Sequence, residues 1–91
     1  MTSHTTRQFR RLFRELPSEV QRSAHKAYRL WRTDPQHNSL QFKQVHTKEP
    51  IFSVRVALGW RALGVVSEED DTIVWYWIGS HAEYDRILSQ Y

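Results

Sequence analysis

With 91 residues, 40% of them hydrophobic and 13% aromatic, the chain is long enough for one domain spanning residues 1–91 and too rich in core-forming side chains for a disordered tail. It has no cysteine, which excludes disulfide and thiol chemistry and fits a reducing cytoplasm; no run approaches the ~20 apolar residues of a membrane span, and the polar start MTSHTTRQFRR predicts no secretory signal. The net charge of +3 is uneven, with eight Lys/Arg against two Glu in residues 1–32 and one Arg against six Asp/Glu in residues 68–91, which suits a binder of RNA or of an acidic peptide as well as a plain solvated helix face.

The first predicted element is a helix over Thr5–Leu16. Phe9, Leu12, Phe13 and Leu16 recur at i, i+3, i+4 and i+7, and Thr5 with Gln8 fits a capping box. Arg7, Arg10, Arg11 and Arg14 fall on the opposite face. Pro17 cannot continue that helix but suits the first position of another, running to about Arg32. Its apolar stripe is Val20, Ala24, Ala27, Tyr28 and Trp31, with Arg22, Lys26 and Arg29 on another face. The short link predicts an antiparallel helical hairpin.

Beyond a polar loop the period changes from helical to alternating. LQFKQVH is a predicted strand carrying Lys43. In IFSVRVAL, Phe52, Val54, Val56 and Leu58 face one way and Ser53 and Arg55 the other. Gly59 marks a turn or bulge, WRALGVV returns as the next strand, and Glu68–Asp71 is an acidic turn. TIVWYWI is apolar on both faces and belongs inside the sheet. Short sequential links predict a four-stranded antiparallel meander. Ser80-His81-Ala82-Glu83 then fits a capping box, and Tyr84, Ile87, Leu88 and Tyr91 give a short last helix its apolar stripe. The fold class is therefore α+β, a helical hairpin on a twisted sheet with a C-terminal helix.

The capping box accounts for Ser80 and Glu83 but not for His81. An imidazole at a helix N-terminus sits where the helix dipole disfavours positive charge, and a neutral imidazole can accept a proton. Free N–H groups of that turn attract phosphate, so one spot offers an anion site and a base. The ordinary alternative is a helix-end histidine with no task. Arg55 and Arg61 lie on strands, where a partly buried Arg has an anionic partner; the candidates are an internal carboxylate, Asp85 or Glu83, and a bound phosphate. Lys43 is either another phosphate contact or an edge-strand lysine that deters aggregation. The Tyr84 ring packs the last helix, with its hydroxyl within reach of the His81 region. Trp60, Trp75 and Trp77 either stack on bases or fill the core, and core is the expectation for at least two of them. The five histidines show no metal-ligand spacing, and the three glycines form no phosphate loop, so no metal or cofactor is expected.

Taken together, the basic helical hairpin, LP, DPQHNSLQFKQV, FSVRV, WRALG and the ending VWYWIGSHAEYDRIL resemble the RelE/ParE superfamily of toxins from type II toxin–antitoxin modules. The resemblance covers nearly the whole chain. Its most specific parts are the R-V…W-R pairing on adjacent strands and the terminal G-S-H-x-E-Y, which is similar to the G-[ST]-H ending of the YafQ-type branch. It implies a small α+β fold with two helices on one side of a twisted antiparallel sheet. RelE-like members often open with a strand, but residues 1–6 here are too short and polar to predict one. It also implies a metal-independent mRNA interferase, a ribosome-dependent endoribonuclease in which the message's own 2′-hydroxyl attacks the neighbouring phosphate. Carried over by position, Arg61 holds the scissile phosphate with Arg55, His81 acts as base or acid, and Lys43 and Tyr84 match more loosely. Arg7, Arg10, Arg14, Arg22 and Arg29 are then candidate contacts to RNA phosphates, and an acidic antitoxin is the expected partner. ParE relatives share the fold but inhibit DNA gyrase without cutting RNA; a degenerate member would only bind its antitoxin.

Overall fold

The apolar periodicities become three helices and five strands in the computed structural model, which describes all of Met1–Tyr91. In chain order these are β1 (Thr2–Thr5), α1 (Arg7–Arg14), α2 (Ser18–Thr33), β2 (Lys43–Gln44), β3 (Ile51–Ala57), β4 (Trp60–Ser67), β5 (Thr72–Ser80) and α3 (His81–Ser89), with a 3-10 turn at Asn38–Leu40. The sheet order is β1-β5-β4-β3-β2. The α+β architecture is as expected, but the sheet has a fifth strand and is not wholly antiparallel. β1 pairs in parallel with β5, Thr2 opposite Thr72 through Thr5 opposite Trp75. It is a polar edge strand held by backbone bonds and buries no residue, so no apolar alternation announces it.

That strand also moves the start of the first helix. Thr5 belongs to the ladder, and the Thr6 N–H donates to the Trp75 carbonyl at 3.0 Å. The cap is therefore Thr6, whose hydroxyl accepts from the Phe9 N–H at 3.1 Å. The α1 C-terminus is closed by a residue of α2. Gln21 donates from one side-chain nitrogen to the carbonyls of Phe13, Arg14 and Leu16, groups that a helix end otherwise leaves unsatisfied. Pro17 is the N-cap of α2, one position earlier than expected. Phe13 meets His25 and Ser3 meets Tyr28, so α2 runs back past α1 and β1 as an antiparallel return.

β5 shows how one strand serves two cores. Leu63 opposes Trp77 but Gly64 opposes Trp75, so Tyr76 is an extra residue in the ladder. Ile73, Trp75 and Ile78 consequently join the core beneath α1 and α2, while Trp77 joins a second core beneath α3 with Ile51, Leu63 and Tyr84. The expected interior position of this strand holds, with β1 on one side and β4 on the other. Gly64 is required there, because an added Cβ would meet the Trp75 and Ile73 side chains at 2.8–2.9 Å. Leu58 was expected on the core face of its strand. It lies in the β3–β4 turn instead and is 83% exposed.

Candidate functional site

Sheet register sets the site. In a ladder, directly opposed residues project to the same face. Lys43 opposes Ser53, Ser53 opposes Leu63 and Leu63 opposes Trp77; in the next row Arg55 opposes Arg61, which opposes Gly79. Both rows lie on the face covered in part by α3, which follows β5 without a linker. Lys43, Arg55, Arg61, His81 and Tyr84, nominated separately along the sequence, thus share one side of the sheet.

Tyr84 ties the group together. It is buried, and its hydroxyl donates to the Ser53 hydroxyl at 3.2 Å. The Arg61 guanidinium carbon lies 6.0 Å from the centre of its ring, at cation–π range. The His81 ring centre is 5.5 Å from the same ring. Arg61 and His81 are thereby two neighbours of a single fixed aromatic.

Neither Arg55 nor Arg61 has a carboxylate partner. The ion pair of the molecule is the Met1 ammonium with Asp71 at 3.6 Å, and His81 is hydrogen-bonded to Asp85 at 3.1 Å. The internal carboxylates considered for Arg61, Asp85 and Glu83, are thus engaged elsewhere, with His81 and with the Ser80 cap. Arg61 donates to neutral acceptors, the Trp60 carbonyl at 3.4 Å and the Gln41 side-chain oxygen at 3.1 Å. Burial lowers the Arg61 pKa below the ordinary arginine value, and the adjacent Arg55 charge lowers it further, against opposing contributions from Tyr84 and Asp85. Two strand arginines placed side by side with no acid at ion-pair distance leave a positive spot that Asp85 only partly offsets.

Gln41 gave no signal in the sequence. It sits in the left-handed region at φ 47°, just after the 3-10 turn, a conformation that costs a non-glycine residue about 1–2 kcal/mol. The strained residue is one whose side chain holds Arg61, an association found at functional sites. Ser53 and Asp85 were likewise not assigned these roles from the sequence.

His81 is 45% exposed along its side chain. Its Nδ1 faces Asp85 Oδ2 at 3.1 Å, one helical turn away. A carboxylate only accepts, so Nδ1 carries the proton and Nε2 of the neutral ring holds the free lone pair. At this helix start, where an anion site was expected, three of the N–H donors are already occupied. The His81 N–H donates to the Gly59 carbonyl at 2.8 Å, the Ser80 N–H to Glu83 Oε1 and the Glu83 N–H to Ser80 Oγ. The capping box and the β3–β4 turn have used these three groups, so anion recognition rests mainly on the arginines. Gly59, at φ +79°, provides the turn that brings its carbonyl to His81.

The helix arginines are placed differently. Arg7, Arg10, Arg14, Arg22 and Arg29 are on the helical layer across the sheet from Arg61, and all five are exposed. Arg10 donates to the Thr5 carbonyl and hydroxyl at 2.8 and 3.0 Å. Trp75 and Trp77 are core residues and Trp60 packs partly buried, so none of the three is an open stacking platform. No group of three or more His, Asp or Glu residues has metal-site geometry, and no helix is long and apolar enough to cross a membrane.

The model of the ParE-like toxin domain matches residues 18–86. The chain belongs to this family. Solved structures carry the same fold. The toxin–antitoxin complex RelB–RelE from Methanococcus jannaschii superposes at TM-score 0.71 with 13% identity, over 91% of this chain and 96% of that one. YafQ from E. coli gives 0.70 at 9% identity, over 90% and 94%. RelBE2 from Mycobacterium tuberculosis gives 0.68 at 21% identity, over 87% and 95%. At these identities the likeness is one of fold. Comparison with curated proteins found no match. The ParE-like domain here is thus a toxin of the RelE/ParE type, built on the α+β frame those structures share.

Proposed function

We propose that this toxin is a ribosome-dependent mRNA endoribonuclease that acts without metal and is neutralised by an acidic antitoxin in the cytoplasm. The observation that carries the reading is the pairing of Arg55 with Arg61, free of any carboxylate, beside a His81–Asp85 pair and the Tyr84 ring. Such a group suits a phosphodiester. The two guanidiniums hold the non-bridging oxygens and stabilise the added charge of the pentacoordinate transition state. His81 Nε2 takes the proton as the 2′-oxygen attacks phosphorus, and Asp85 steadies the imidazolium that forms. The bond from phosphorus to the 5′-oxygen breaks, and that oxygen leaves as a hydroxyl after receiving a proton from the imidazolium or from water. The products are a 2′,3′-cyclic phosphate and a 5′-hydroxyl. Lys43, exposed in the Ser53 row, extends the positive strip along the RNA backbone.

The arginines of α1 and α2 suit contacts to ribosomal RNA phosphates on the opposite side of the domain. RelB accompanies RelE in the Methanococcus complex, which supports a protein neutraliser here. A second reading, inhibition of DNA gyrase without RNA cleavage, is favoured by the ParE-like character of the matched family. Single-turnover cleavage of a ribosome-bound message, with the ends mapped, separates the two. Cut message with a cyclic phosphate end supports the nuclease. Intact message with inhibited gyrase supercoiling supports the alternative, and intact message with active gyrase leaves an antitoxin-binding member.

A further inference from the structure

Between the end of α2 at Thr33 and the start of β3 at Ile51 the chain has little regular structure, a single 3-10 turn and the two residues of β2. This segment nevertheless delivers Gln41 to Arg61, 3.1 Å away, and Lys43 to the Ser53 row. Part of its placement is apolar. Leu40 is buried, Phe42 packs on the core beneath α1 and α2, and Val45 packs on the core beneath α3. The rest comes from two histidines that act alike near its two ends. His37 caps the 3-10 turn: its Nδ1 accepts from the Ser39 N–H at 3.2 Å and lies 2.9 Å from the Ser39 hydroxyl. His46 closes the turn that leads into β3: its Nδ1 accepts from the N–H groups of Lys48 at 3.1 Å and Glu49 at 2.9 Å. Gln44 braces this second turn by donating to the carbonyls of His46 and Glu49.

An imidazole nitrogen accepts only through its lone pair, so both rings are neutral and carry their proton on Nε2. A second proton goes to Nδ1 and sets it against the backbone N–H groups it had accepted from. Donor then faces donor, and both turns lose their cap. Neither ring has a carboxylate at ion-pair distance to hold its charged form in place. The charged groups around His37 are Asp34, whose carbonyl takes the His37 N–H, with Lys26 of α2 and Arg55 of β3, which line one hollow with Ser39. Around His46 they are Lys48 and Glu49 of its own turn. The Tyr91 phenol also faces it, with 5.4 Å between ring centres and its hydroxyl bonded to Tyr76 of β5.

We propose that His37 and His46 are positioning residues for the Arg61 site: as neutral rings they pin the 37–49 strap, and as charged rings they release it. The site is assembled at the upper end of the range in which imidazoles titrate, about pH 5–8, and loosened at the lower end. Gln41 is the link. It follows the 3-10 turn directly and is held there in the left-handed conformation. Opening the turn lets it relax and withdraws its oxygen from Arg61. The effect on cleavage rests on the nuclease reading; release of the strap does not.

NMR titration of isotope-labelled protein between about pH 8 and about pH 5 follows the strap without RNA. A His81→Gln background keeps His81 from moving the Arg61 signals. There, the amide protons of Ser39, Lys48 and Glu49 and the Arg61 guanidinium signals should move together with titration of the His37 and His46 rings. Asn offers an oxygen acceptor to backbone N–H groups further along the chain and does not titrate. His37→Asn/His46→Asn should therefore hold all these signals at their alkaline positions. His37→Ala/His46→Ala should show the acid positions throughout. With His81 present and at the alkaline end, the Ala pair should cut ribosome-bound message about 10–10²-fold more slowly than wild type, and the Asn pair should restore the rate. Rings that titrate while the three amides and Arg61 stay still overturn the proposal, as does a strap that still moves with pH in the Asn pair. Should the Ala pair fail to fold, the His37 and His46 titration and the Asn pair decide the matter.

Discussion

Replacing Arg61 by Ala separates catalysis from stability, and the structure gives the size of both effects. In the folded protein Arg61 has two favourable contacts. Its place near the Tyr84 ring contributes about 0.5–1 kcal/mol, and the 3.1 Å bond to Gln41 about 0.5–1.5 kcal/mol. Against these stands direct opposition to Arg55 on the neighbouring strand, a like-charge pair that costs about 0.2–1 kcal/mol. Partial desolvation of the guanidinium, the main cause of its lowered pKa, opposes it further. No carboxylate is orphaned by the change. The net cost of Arg61→Ala is therefore within about 1 kcal/mol. Cleavage should fall far more, by about 10²–10³-fold, the usual loss when one stabiliser of a developing oxyanion is removed. Denaturant unfolding gives the first quantity and single-turnover cleavage on ribosomes the second. A folded Arg61→Ala protein that cuts as fast as wild type refutes the phosphate role. A loss of more than about 3 kcal/mol of stability would show instead that Arg61 is a structural residue, as breaking a buried ion pair does.

His81→Ala should keep the fold, because the cap belongs to Ser80 and Glu83, and lower cleavage by about 10²–10⁴-fold; Asp85→Asn should lower it less, and a matching loss in both would mean the pair acts only as a unit. Gly59→Ala forces a Cβ into φ +79° and should cost about 1–2 kcal/mol with a further drop in cleavage, read by unfolding and single-turnover assays. Arg22→Gln with Arg29→Gln should flatten the log–log salt dependence of ribosome binding by about 0.7–0.9 for each phosphate no longer neutralised; an unchanged slope makes them solvated-face residues. Burial and the bond to Tyr91 raise the Tyr76 pKa above its ordinary 10.0. The folded state therefore holds the phenolic proton more tightly, and this contribution is full below pH 10 and lost as pH climbs toward the folded pKa. Tyr76→Phe should flatten the stability loss above pH 10, measured by denaturation across alkaline buffers.

What could be read from the sequence is what periodicity encodes. The apolar spacing of α2, β3 and β4 and the capping box at the start of α3 announced those elements. β1 was invisible because its four residues bury nothing and are fixed only by backbone bonds to β5. That omission also displaced the first cap by one residue. Lys43, Arg55, Arg61, His81 and Tyr84 were all legible from their elements or from resemblance, and strand register placed them on one face. Gln41 was missed because its role depends on a left-handed backbone that a glutamine does not advertise. The occupied N–H groups at the start of α3 were missed for another reason. A capping box is legible locally, but the Gly59 carbonyl that takes the His81 N–H comes from a turn more than twenty residues earlier.

The extra residue at Tyr76 connects these observations. Without it, strict alternation would send Trp75 and Trp77 to the same face, and one of the two cores would lose its central aromatic. With it, Trp75 faces the α1/α2 layer and Trp77 the α3 layer. A single strand then serves both the core beneath α1 and α2 and the face that carries the candidate site. The α3 layer is thin: of its side chains only Tyr84 is fully buried, and a helix of nine residues is not stable alone. What fixes it is the set of bonds at its ends and middle: His81 to Gly59, Tyr84 to Ser53, and Tyr91 to Tyr76. The last of these anchors on the bulge itself. The bulge that divides the cores therefore also secures the helix that presents His81, so the distortion in β5 and the geometry of the candidate site are one feature of the fold.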